Sequence, residues 1–156
     1  LYWRDVGTVD AYWEANVDLT QVVPRLDLYD KRWPVRSLHE RRPAAKFVFD
    51  EDGRRGLALS SLVSAGCIVS GGTVRRSLLG PDVRVHSHAL IEDSIVHQGS
   101  RVRRHCRLRR AIVDEGCEIP EGTVVGEVAE EDERRFHRSP GGVTLITRDM
   151  LAELPD

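Results

Sequence analysis

Broken every seventeen residues from Ser60, residues 60–125 read SSLVSAGCIVSGGTVRR, SLLGPDVRVHSHALIED, SIVHQGSRVRRHCRLRR and AIVDEGCEIPEGTVV. Three aliphatic columns run down these rows: Leu62, Leu79, Val96, Val113; Ile68, Val85, Val102, Ile119; and Val74, Ile91, Leu108, Val125. They are spaced six, six and five residues apart. Two residues before each aliphatic stands a second class, small in every case except Val83: Ser60, Ser77, Ser94, Ala111; Gly66, Val83, Ser100, Cys117; Gly72, Ala89, Cys106, Thr123. Side chains two apart on a strand share a face, so both classes point the same way. A row that folds into three short strands buries little alone, but stacked rows bury a continuous apolar column. The strands of an ordinary sandwich hold no such register. The pattern therefore predicts a mainly β chain built on a parallel β-helix of about four coils.

This repeat resembles the hexapeptide-repeat parallel β-helix, and the resemblance implies left-handed coiling, against the usual right-handed crossover rule. The register then sorts the outward side chains. On the first strand they are Ser61, Leu78, Ile95 and Ile112; on the second, Cys67, Arg84, Arg101 and Glu118; on the third, Thr73, Leu90, Arg107 and Val124. Leu78, Ile95 and Ile112 form an apolar stripe that predicts a covered interface. All six arginines of RVRRHCRLRR (101–110) fall outward. Such a run makes either a solvated or intersubunit ion-pair surface or a site for a phosphate-bearing effector. His88 and His105, seventeen apart, should stack on adjacent coils.

The net charge of −2 calls for neither nucleic acid nor a membrane, and no aromatic residue interleaves with the arginines. Of the three cysteines, Cys106 and Cys117 stand in inward small positions and read as reduced core thiols of a cytoplasmic protein. Ahead of the coils, Thr8 should cap a helix from Val9 to about Leu19 with Ala11, Tyr12, Ala15 and Leu19 on its apolar face. Pro24 and YDKRWP (29–34) read as an irregular connection, and Lys46–Asp50 and Leu57–Leu59 as strands around a turn at Asp52–Gly53. Beyond Val125, EVAEEDERR should form a short helix and VTLIT a strand.

The strings YWRDVGTVDAYWEAN (2–16), LDLYD (26–30), WPVRS (33–37), PAAKFVFD (43–50), SLVSAGCIVSGG (61–72), CRLRRAIVDEGCEIPEG (106–122) and EEDERRFHRS…VTLITRDML (130–151) carry a fuller resemblance. The chain is similar throughout to the C-terminal part of the bacterial glucose-1-phosphate adenylyltransferase family. The resemblance implies four parts: residues 1–20 as the end of a nucleotidyltransferase domain, 21–56 as linker and connecting strands, 57–126 as the β-helix, and 127–156 as a tail packed on it. It implies an enzyme that joins ATP and glucose 1-phosphate into ADP-glucose and pyrophosphate for glycogen synthesis, with Mg²⁺ in the transfer.

Asp5 of WRDVGT matches a metal-ligating aspartate of the family; on local grounds alone it caps the following turn. The family's Gly-rich loop, its glucose 1-phosphate lysine and its second metal aspartate have no counterpart here, so this stretch alone should be catalytically silent. Arg148 matches a position that binds anionic effectors, with Arg107 a second candidate for a phosphorylated metabolite. Other effector arginines of the family are replaced by Asp82, Glu115 and Ala152. The resemblance further implies an allosteric homotetramer. Two alternatives are a hexapeptide-repeat acyltransferase, which needs a catalytic histidine and an extruded loop, and a non-catalytic nucleotidyltransferase-like scaffold subunit.

Overall fold

In a computed structural model, which describes residues 2–38 and 40–155, the three columns become three parallel sheets wound around one core. The first face carries Leu62–Val63, Leu78–Leu79, Ile95–Val96, Ala111–Val113 and Thr144–Ile146. The second carries Lys46–Val48, Ile68–Ser70, Arg84–Val85, Arg101–Val102 and Glu118–Ile119. The third carries Leu57–Leu59, Thr73–Arg75, Leu90–Glu92, Arg107–Arg109 and Val124–Val125. Val74, Ile91, Val96, Val102, Val113, Ile119 and Val125 are fully buried between them.

Three of the four rows follow the predicted register, and the first does not. Val63 pairs with Leu79, and Val69 with Val85, so the inward aliphatics of that coil are Val63 and Val69, not Leu62 and Ile68. Cys67, expected to point outward, is fully buried, and Ile68 takes the outward position opposite Arg84. Ser61 likewise belongs to the inward small column and Leu62 to the outward stripe. The cause is a shorter corner. Between Val69 and the corner residue Gly71 stands only Ser70, where His86 and Ser87 separate Val85 from His88. Gly71 has φ +71°, and a Cβ there would come within 2.8 Å of Ser87 Oγ and of Arg54 Cγ. The chain can turn this tightly because that position has no side chain.

The small column does more than make room. Ser61 Oγ donates to Leu59 O and accepts from Ser77 N–H; Ser77 Oγ donates to Arg75 O and accepts from Ser94 N–H; Ser94 Oγ donates to Glu92 O and accepts from Ala111 N–H, all at 2.6–3.1 Å. Each hydroxyl closes its own corner and ties the next coil to it, satisfying buried polar groups that would otherwise be costly. The corner residues also stack. Arg76 and Asp93 form a two-pronged ion pair at 2.7 and 3.1 Å, and the rings of His88 and His105 lie 4.9 Å apart at 11°.

The parallel pairing begins earlier than residue 57, because Lys46–Val48 already pairs with Ile68–Ser70. What the sequence suggested as connecting strands includes a hairpin, Asp50–Glu51 against Arg54–Arg55, looped out of the first corner. At the other end, Thr144–Ile146 extends the first face and His137–Arg138 pairs antiparallel with it. Helix α2 (Ala129–Arg135) and helix α3 (Arg148–Ala152) close that end, with Phe136, Met150, Leu151 and Leu154 on the core. Asp132, almost fully buried, accepts from Gly126 N–H at 2.8 Å and Arg135 at 3.1 Å.

Candidate functional site

Helix α1 (Val9–Val17) lies on the first face, begun by Thr8, whose hydroxyl accepts from Ala11 N–H at 3.1 Å. A 3₁₀ turn, Asp18–Thr20, follows it. Its packing face is Val9, Tyr12, Trp13 and Val17, against Leu78, Ile95, Ile112, Val143 and Leu145. Only Tyr12 is shared with the face expected from sequence. Both sets fit the helical period, but the one holding Trp13 buries far more apolar area. Ile95 and Ile112 are each 4% exposed beneath the helix, and Leu78 is half-buried. Burying an aliphatic side chain of this size stabilises by about 1.5–3 kcal/mol.

Polar contacts fix the helix at both edges of this seam. Trp13 Nε1–H donates to Asp93 O at 2.7 Å, and the Arg110 guanidinium sits 4.2 Å over the Trp13 ring. Asp10 accepts from Ser139 Oγ and, at 2.9 Å, from Gly141 N–H, while Arg110 donates to Gly141 O at 2.9 Å. The turn that leads toward Arg148 is thereby pinned to α1. Tyr12 OH lies 3.2 Å from His97 Nε2, and burial pushes the Tyr12 hydroxyl pKa up, against a smaller opposing contribution from Asn16. Sequence reasoning missed Trp13, Asp10 and Arg110; Asp10 and Gly141 are too far apart in the chain for any local signal.

Asp5 is exposed, and one of its carboxylate oxygens accepts from Gly7 N–H at 3.1 Å, so it caps its own turn. Among the described residues no group of three His, Cys, Asp or Glu could hold a metal ion. A Mg²⁺ site needs several oxygens in octahedral array, so these residues alone do not make one.

Arg148 is exposed at the start of α3, behind the cap Thr147, and its side chain lies beside Gly116 at the corner between first and second faces. Burial and then Asp114 push the neighbouring Cys117 thiol up to about 11, with Arg148 opposing the shift. Cys67 and Cys106 are raised too, chiefly by burial, and all three cysteines are free and buried. Arg107 stands on the third face, paired with Glu127 at 3.1 Å. The two candidate effector arginines therefore occupy different faces and share no contact among the described residues.

His88 Nδ1–H donates to Gly53 O at 3.0 Å, which ties the hairpin to that corner beside a cleft of about 400 Å³ lined by the hairpin and by Leu57, Thr73 and Leu90 of the third face. Among the described residues no helix is long and apolar enough to cross a membrane.

With this geometry in view, residues 43–146 match the model of the GlmU-like, C-terminal hexapeptide family. The chain is also similar to glucose-1-phosphate adenylyltransferases. That of Albidiferax ferrireducens is 58% identical over 98% of this chain and 36% of its own length. That of Yersinia pseudotuberculosis is equally similar, and that of Dechloromonas aromatica is 53% identical over 97% of this chain and 34% of its own length. The chain spans about a third of the length of these curated relatives.

Proposed function

The chain belongs to the GlmU-like C-terminal hexapeptide family, and from that premise we propose that it is the regulatory and assembly part of a glucose-1-phosphate adenylyltransferase. The whole protein would make ADP-glucose and pyrophosphate from ATP and glucose 1-phosphate in glycogen synthesis. The supporting observation is the similarity, above half identity, to one third of enzymes bearing that name. The packing of α1 on the solenoid gives it a physical sense: a rigid rod holds the end of a preceding domain through a sequence-specific apolar seam.

In this reading Asp5 would help hold a Mg²⁺ ion together with residues outside the chain, and such an ion would neutralise charge developing on phosphate oxygens. Arg148 binds a phosphorylated effector, which the absence of any carboxylate within 4.0 Å of its guanidinium among the described residues permits. Arg107 is the weaker candidate, since Glu127 already meets its charge. The protein acts as a homotetramer in the cytoplasm, where three buried free thiols stay reduced.

The test is to measure ADP-glucose formation by the intact protein and by residues 1–156 alone. The intact protein should be active and the shorter one silent. An intact protein that makes no ADP-glucose from ATP, Mg²⁺ and glucose 1-phosphate overturns the reading.

A further inference from the structure

Asp5 lies in a short irregular segment that is fastened on both sides to α1 and its continuation. On one side the Arg4 guanidinium meets Glu14 of α1 through Nη2 at 2.9 Å and Asp18 of the following 3₁₀ turn through Nη1 at 3.7 Å. On the other, the Thr8 hydroxyl caps α1. The turn between these points is tight. Asp5 Oδ1 accepts from Gly7 N–H at 3.1 Å, and a Cβ on Gly7 would stand 3.2 Å from that same oxygen. Asp5 itself remains exposed.

Stability does not account for the arginine clamp. Glu14 is exposed and Arg4 only half-buried, and ion pairs of that kind add little to folding. Nor is Arg4 free to take an anion, since two carboxylates already meet its charge. Its distinctive property is geometric. One planar guanidinium reaches carboxylates on two consecutive elements with two different nitrogens, which fixes the direction of residue 4 and hence of residue 5. The helix that supplies the clamp is itself held, by Trp13 on Asp93 O and by Asp10 on Gly141 N–H. A continuous line of contacts therefore runs from the solenoid through α1 to Arg4 and its neighbour.

We propose that Arg4 is a positioning residue: it holds the Asp5 carboxylate in place for metal binding, by reference to the solenoid. The inference rests on the reading of Asp5 given above. A group displaced by about 1 Å in a reacting site can cost about a hundredfold, so a contact that hardly affects folding can still govern the site. The rod then influences a centre that it does not line.

Mn²⁺ serves as the probe. Its binding to the intact protein with ADP-glucose present is followed by loss of the free-ion EPR signal, alongside the melting temperature. Asp5→Asn should weaken binding most, which checks the reading itself. Arg4→Gln should weaken it about tenfold at an unchanged melting temperature, the scale on which groups that orient metal ligands act. Glu14→Gln with Asp18→Asn, which keeps the arginine, should do the same. Arg4→Lys should recover part of the loss, because an ammonium can meet one carboxylate but not both. Wild-type affinity in Asp5→Asn overturns the reading and the proposal together. Weak binding in Asp5→Asn with wild-type affinity in Arg4→Gln overturns the proposal alone. So does a loss in Arg4→Gln that the double variant does not share, or that comes with a lowered melting temperature.

Discussion

On the first face Val96 and Val113 are fully buried, whereas Val22, Trp33 and Leu38 in the stretch ahead of the solenoid are 97, 81 and 85% exposed. The two regions belong to one chain and are comparably apolar, yet they are held by different means. In the solenoid every coil satisfies the backbone and side chains of the next, so order is shared among many equivalent rungs. The leading stretch has no repeat to lean on. From residue 21 to Ala45 it forms no strand or helix among the described residues; α1 anchors its start at the seam, and Arg42, paired with Asp82 at 2.7 Å, and Pro43 O, which accepts from Gly66 N–H at 2.7 Å, tie its end to the first coil. Repetition makes structure that stands by itself; the other region leaves apolar side chains for something else to cover.

The largest expected effect comes from breaking a rung. Val102 is fully buried, and Val102→Asp places a carboxylate where no partner exists, at a cost of several kcal/mol. Circular dichroism should show no cooperative melting transition. If the variant melts like the wild type, the rungs are less interdependent than their hydrogen bonds indicate.

Ile95→Asp attacks the seam instead. The solenoid should remain folded while α1 detaches, seen as a red shift of tryptophan emission as Trp13 leaves Asp93 O and enters water. In the intact protein the oligomeric state by light scattering should change as well. Unaltered emission, oligomeric state and melting temperature together would mean that the stripe covers nothing important.

Asp10→Ala removes only the polar clamp, leaving Ser139 Oγ and Gly141 N–H without an acceptor. The expected destabilisation is about 1–3 kcal/mol by urea titration. Residues 139–142 should lose hydrogen-exchange protection before the rungs do.

The thiols give a smaller, pH-dependent effect. Cys117 is raised from 9.0 to about 11, so its protonated form is favoured in the fold. Its stabilising contribution is complete below the unfolded pKa and is lost as pH rises from about 9 through about 11. Stability measured across that interval should fall, and Cys117→Ala should flatten part of the slope. Smallest of all is Arg103→Ala: its pair with Glu118 is half exposed, and about 0.2–1 kcal/mol is expected.

The parts of the fold that repeat were legible because a period, once seen, is tested again in every row. The miss in the first coil has a local cause. Leu62–Val63 and Ile68–Val69 are adjacent aliphatic pairs, so either member fits the column and hydrophobicity cannot choose. The deciding signal was conformational: Gly66, Asp82, Gly99 and Gly116 all have positive φ at one corner, spaced sixteen and then seventeen apart. Corrected, the outward stripe gains Leu62 and continues through Leu145. The seam was half legible. The stripe showed in the register, but its occupant was mis-phased because Trp13 and the contacts of Asp10 depend on segments about eighty and a hundred and thirty residues away. Asp5 and Arg148 were reachable only through resemblance, since neither stands in a cluster that local chemistry would single out.

The serine ladder has a further consequence, for measurement of length. Each hydroxyl is spoken for by its own corner and the next rung, so a coil can be added or removed only as a complete unit. The rod is therefore a ruler graduated in steps of about 4.8 Å. The distance between whatever is fastened at the α1 seam and whatever is fastened at the α2 end can change by whole graduations, but not by fractions of one.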